Sequence, residues 1–94
     1  MADMNALRDR IRQLADDTER TGHVPVTTNR LYELLAAWYG QRAEAPPVSR
    51  ALFYRWFGSE LGTPSHQLLE CVPGFAAILG VEEYELFAAA GLLP

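Results

Sequence analysis

The stretch Pro47-Val48-Ser49-Arg50-Ala51-Leu52-Phe53-Tyr54-Arg55-Trp56-Phe57-Gly58 constrains this chain more than any other. Pro46 and Pro47 stop a preceding helix, because proline lacks a backbone donor and pushes its predecessor out of the helical region. Ser49 is a helix N-cap residue type, and the residues after it form a short helix with two unlike faces. Val48, Phe53, Trp56 and Phe57 can face a core. Arg50, Ala51, Tyr54 and Arg55 are left pointing outward. A short capped helix that offers arginine and tyrosine to solvent has the chemistry that reading a DNA major groove requires. The plainer reading is an amphipathic surface helix that happens to carry two arginines.

The rest of the chain is patterned for helices, with no alternating strand. Leu7, Ile11, Leu14 and Thr18 recur at spacings of four, three and four, which predicts a helix over about residues 5–21, capped by Asp3 or Asn5. Its order of charge, Arg8, Arg10 and Arg12 before Asp16, Asp17 and Glu19, opposes the helix dipole. Those arginines read as a solvated face or as ion pairs. Leu31, Leu34, Leu35 and Trp38 predict a second helix over about 28–42, capped by Thr27 or Thr28 and flanked by Tyr32 and Tyr39. The central helix spans about 49–57. A fourth, over about 65–79, is interrupted at Pro73-Gly74, and a last helix covers about 82–90 before Gly91. Trp38, Phe53, Trp56 and Phe57 read as core, since helical spacing accounts for all four. The expectation is an all-α, compact five-helix single domain over 1–94 with an extended second helix.

Composition removes several classes of function. Hydrophobic residues make up 49% of the chain, too many for a disordered tail. No apolar run approaches the roughly 18 residues of a membrane span. The start Met1-Ala2-Asp3-Met4-Asn5 lacks the basic-then-apolar form of a signal peptide, so a cytoplasmic protein with no membrane partner is expected. Cys71 is the only cysteine, which rules out an internal disulfide and suggests a buried, inert thiol. His23 and His66 stand apart, and neither a metal-ligand spacing nor a glycine-rich phosphate loop is present. No paired carboxylates or nucleophile–base set is visible. The expectation is therefore no enzyme, no metal and no cofactor.

The net charge of −4 opposes nucleic-acid binding until its distribution is considered. All eight basic residues are arginines, and all lie between Arg8 and Arg55. Residues 1–57 carry seven acids against them, a balance of +1. From Gly58 onward there are five acids and no base. The acidic end cannot be the face that meets phosphate.

Taken in order, these segments resemble the lambda-repressor-like, or XRE/Cro-type, helix-turn-helix family. Thr27-Thr28-Asn29-Arg30-Leu31 looks like the start of that family's second helix, and Val48 to Trp56 like its recognition helix. Pro64-Ser65, Leu68-Leu69 and Ile78-Leu79-Gly80-Val81 look like its fourth helix and the turn after it. The tail from Tyr84 to Pro94 is similar to a common ending of such domains. Three features depart from the pattern. The stretch from Ala36 to Pro47 exceeds the usual three- or four-residue turn, Pro73-Gly74 interrupts the fourth helix, and the C-terminal part is acidic.

The resemblance implies a sequence-specific DNA-binding transcriptional regulator, a repressor being the commonest form, that binds double-stranded DNA as a homodimer. Carried over residue by residue, it places Thr28 at a phosphate and Ser49 at the cap and backbone. It places Arg50, Ala51 and Tyr54 at base edges, with Arg55 at a base or phosphate. Arg30 and Arg42 are further phosphate candidates. Trp38, Tyr39, Leu86, Leu92 and Leu93 are candidates for the dimer surface. The alternative is a helical protein-interaction or anti-repressor module that uses the acidic surface to bind a protein partner and does not bind DNA.

Overall fold

The helices begin where short polar side chains can accept their first free N–H groups. In the computed structural model, which describes residues 2–17, 22, 24–58 and 63–92, Asp3 accepts from Ala6 N at 3.0 Å and starts α1, Met4–Asp16. Thr27 accepts from Arg30 N at 3.1 Å and starts α2, Thr28–Gly40. Ser49 accepts from Leu52 N at 3.2 Å and starts α3, Arg50–Phe57. Each such cap contributes about 1 kcal/mol. The short α4, Gln67–Glu70, then leads to α5, Val72–Leu79, and α6, Glu83–Ala89. The described residues are all helix and connection, with no strand. None of their helices is long and apolar enough to cross a membrane.

Several boundaries differ from those expected. Helix α1 ends at Asp16, with Asp17 already extended, and the expected continuation through Thr18 to Thr21 lies outside the described residues. The single helix expected over 65–79 is two. They part at Cys71, two residues before Pro73, which sits in the first turn of α5. A proline in a first turn forfeits no intrahelical bond, so it starts a helix more readily than it kinks one. Helix α2 stops at Gly40, short of the expected 42. It closes through Glu44 N to Tyr39 O and Ala43 N to Gly40 O, both 3.0 Å, with Ala43 in the left-handed region at φ 58°. Glycine normally fills that position.

Helix α1 packs on α6, α2 on α5 and on α3, and α5 on α6. Trp56, Phe53, Phe75, Leu7, Ile11, Leu31, Leu35, Leu68 and Leu86 are wholly buried. Phe53 joins three elements. Its ring lies 4.6 Å from Phe57, 6.1 Å from Phe75 on α5 and 5.1 Å, edge-on, from Tyr32 on α2. Gly74 allows α5 to lie against α2, for a Cβ there would meet Leu35 Cδ1 at 2.6 Å and Tyr39 Cε2 at 2.8 Å. The radius of gyration, 12.4 Å, matches the roughly 12 Å of a compact chain of this length.

Tyr32 and Tyr39, expected to flank the core face of α2, are part of the core. Each uses its hydroxyl as a tether: Tyr32 donates to Val48 O at 3.1 Å and Tyr39 to Glu70 O at 2.9 Å. The ring satisfies the core while the hydroxyl satisfies a loop carbonyl, a combination phenylalanine cannot provide. Burial raises the Tyr39 pKa above its ordinary value, with nearby Cys71 adding to it. Burial likewise pushes the Cys71 thiol up to about 12, helped by Glu70. A thiol held neutral in this way is inert as a nucleophile.

Candidate functional site

Helix α3 turns Phe53, Trp56 and Phe57 inward, which leaves Arg50, Ala51 and Arg55 exposed and Tyr54 half-buried beside them. One outward surface thus holds two guanidinium groups, a phenol and a methyl group. Gly58 terminates the helix at close quarters, since a Cβ there would lie 2.5 Å from Tyr54 O. The connection between α2 and α3 is residues 41–49, and the Tyr32–Val48 bond pins its last part to α2. The start of α3 is therefore placed by packing and by that bond, although the linking turn is long.

Sequence reasoning did not single out Asn29, yet it sits at the centre of the site. Its Oδ1 accepts from Arg50 Nη1 at 2.6 Å and from the Tyr54 hydroxyl at 2.5 Å. Its Nδ2 donates to Glu33 Oε1 at 2.8 Å, and Glu33 in turn pairs with Arg30 at 3.6 Å. Arg50 Nη1 also lies 3.5 Å from the Tyr54 oxygen, and its guanidinium stands over the Tyr32 ring at 4.8 Å. The side chains at the start of α2 and along α3 thus form one polar network. The only sequence signal for it was a short amide residue in the first turn of α2, beside the capping threonine.

The other candidates divide. Ser49 caps α3. The Thr28 hydroxyl donates to Phe57 O at 3.1 Å and accepts from Arg12 Nη1 at 3.4 Å, so it holds α2 to α3 and to α1 instead of standing free for a phosphate. Arg12 is one of the arginines expected on a solvated face. It pairs with Asp16 at 2.8 Å and also donates to Val26 O, which makes it a tie between α1 and the connector. Arg8, from the same group, is 9% exposed and pairs with Asp9 at 3.1 Å. Arg55 has neither hydrogen bond nor ion pair among the described residues.

Arg42 follows the end of α2 at Gly40, which is about 15 Å from Arg30 along the helix, at 1.5 Å per residue. There its guanidinium covers the Trp38 ring at 3.6 Å and donates to Trp38 O at 3.1 Å. It belongs to the end of α2 and not to the α3 surface. Two residues expected at a dimer surface are core: Leu86 is 0% exposed and Tyr39 5%. Apolar spacing alone does not say which side of a helix faces inward. Trp38 is half-buried beneath Arg42, Leu92 is 43% exposed, and Leu93 lies outside the described residues. Among the described residues no three of His, Cys, Asp and Glu come together as metal ligands. Comparison with protein-family models, with curated proteins and with solved structures finds no match to this chain.

Proposed function

We propose that this chain is a lambda-repressor-like, XRE-type helix-turn-helix regulator that binds double-stranded DNA, with α3 entering the major groove. The observation that carries this reading is the outward face of α3. Arg50 and Arg55 are exposed there, without an acidic ion-pair partner among the described residues, in a chain whose net charge is −4. Phosphates and guanine edges are suitable partners for two arginines that an acidic protein leaves without a carboxylate on a capped helix. Ser49 fixes the register of α3. The Arg30 side chain and the N–H groups of Thr28 and Asn29, the part of the first turn of α2 that the Thr27 cap does not occupy, serve as phosphate contacts.

One such module touches few base pairs, so a homodimer on a palindromic site is part of the proposal, as is a cytoplasmic location. The acidic surface of α6 faces away from DNA in this arrangement. A second reading, a protein-interaction module, is favoured by one observation. Tyr84 is 60% exposed and stands among Glu82, Glu83 and Glu85, a surface suited to a basic protein partner. Neither reading makes the chain an enzyme.

The deciding experiment is selection from a random duplex pool at two salt concentrations. A retained palindromic motif, with affinity that falls steeply as salt rises, is the expected result. Absence of any retained sequence at low salt refutes DNA binding and leaves the protein-interaction reading.

A further inference from the structure

The network around Asn29 has a direction, set by which group can donate and which can accept. The Asn29 amide has only one workable orientation. Turned the other way, its NH₂ would face the donors of Arg50 and Tyr54, and its oxygen would face the Glu33 carboxylate. Glu33, itself held by Arg30, therefore orients Asn29, and Asn29 orients the two side chains on α3.

This fixes what each of them has left to offer. Arg50 commits Nη1 to Asn29, and among the described residues no hydrogen bond engages its Nε or Nη2. Those two donors form a free edge. The Tyr54 hydroxyl commits its single proton to Asn29 at 2.5 Å, so a ligand approaching Tyr54 meets only oxygen lone pairs. Arg50 is left as a donor and Tyr54 as an acceptor. The two are one helical turn apart, about 6 Å along α3, so they reach base pairs one or two steps apart.

We infer that Asn29 is a specificity-determining positioning residue. It makes Arg50 and Tyr54 read a guanine and, one or two steps away, the major-groove amino group of the base that Tyr54 faces. Guanine presents the two acceptors that match the free edge of Arg50. Adenine N6 and cytosine N4 are the amino donors that match the Tyr54 oxygen, while thymine O4 and the acceptors of guanine would meet it lone pair to lone pair. The inference rests on the DNA-binding reading above. It goes beyond it by assigning a base class to Tyr54 and a positioning role to two residues that touch no base, Glu33 acting through Asn29.

The test is the same random-duplex selection, run in parallel on the wild-type chain and on Asn29→Ala, Asn29→Asp and Tyr54→Phe. The wild-type motif should hold a guanine and, one or two steps away, a second position that separates adenine and cytosine from thymine and guanine by about fivefold, the worth of one hydrogen bond, with adenine and cytosine favoured on the strand that Tyr54 faces. Asn29→Ala frees the Tyr54 proton, so the guanine should persist while the second position comes to accept thymine. Asn29→Asp keeps the acceptor and should keep the adenine-or-cytosine preference, although its charge lowers affinity for every sequence. Tyr54→Phe should remove that preference altogether. A wild-type motif that nowhere separates adenine and cytosine from thymine and guanine within two steps of the guanine overturns the inference and leaves DNA binding standing. So does an Asn29→Ala motif identical to the wild-type one. If the wild-type chain selects no motif, both the DNA-binding reading and the inference fall. The wild-type motif decides the base class without any variant, so a poorly folded substitution does not shield the inference.

Discussion

Each end of α2 places an arginine over an aromatic ring. At the far end the Arg42 guanidinium lies 3.6 Å from the Trp38 ring centroid; near the start the Arg50 guanidinium, arriving from α3, lies 4.8 Å from the Tyr32 ring. Arg42 donates to Trp38 O at 3.1 Å and so satisfies a carbonyl in the last turn, where a cation is favoured by the helix dipole. Its charge is used at the end of the helix that it follows in the chain. Arg50 is held by Asn29 on a different helix and keeps an unbonded edge. The same pair of groups is thus a helix terminator in one place and a presented donor in the other. What separates them is whether the guanidinium turns back on the helix it has just left or crosses to a different one.

The largest way to break this comparison is to remove the core that both ends share. Phe53 touches Tyr32, Phe57 and Phe75, and Phe53→Ala should lower stability by about 3–5 kcal/mol. In a urea titration that loss should appear as one cooperative transition at lower midpoint, with α3 and α2 lost together. Separate transitions for the two ends would contradict a shared core.

Arg50→Ala and Arg42→Ala then divide the two roles. Arg50→Ala should weaken binding to a selected duplex by about 1–3 kcal/mol. Arg42→Ala should do the reverse, costing about 0.5 kcal/mol of stability and leaving the duplex affinity unchanged. Equal effects of both variants on binding would show that the assigned reading face is wrong.

Tyr32→Phe and Tyr39→Phe sharpen the comparison further, because each removes one hydroxyl and leaves the ring. Each strands a carbonyl, of Val48 or Glu70, and should cost about 1–2 kcal/mol. Only Tyr32→Phe loosens the entry into α3, so it alone should also weaken duplex binding. The smallest expected effect is a gain. Ala43→Gly relieves the left-handed alanine that closes α2 and should stabilise the chain by about 1 kcal/mol in the same titration.

Much of the helical plan was legible in the residues, for reasons that are local. The stripe of Leu7, Ile11 and Leu14 is buried as its spacing predicts. Thr27 and Ser49 cap because a short hydroxyl side chain in an extended residue can reach a first-turn N–H. Other features depended on neighbours the local pattern cannot show. Arg8 and Arg12 read as surface charges, but Arg8 is buried and Arg12 ties α1 to Val26 of the connector. Leu86 and Tyr39 could serve equally as core or as contact surface until the positions of α1, α5 and α6 settled the matter.

By itself the sequence determined the starts of α1, α2 and α3, the amphipathic split of α3 and the polarisation of charge toward the first 57 residues. Those properties depend on bonds and spacings within a few residues of each other. Only the tertiary structure decided that Asn29, 21 positions before Arg50 and 25 before Tyr54, would become the acceptor for both. A hydrogen bond needs its partners within about 3 Å. At such separations in the chain, only the packing of α3 on α2 around Phe53 brings them that close.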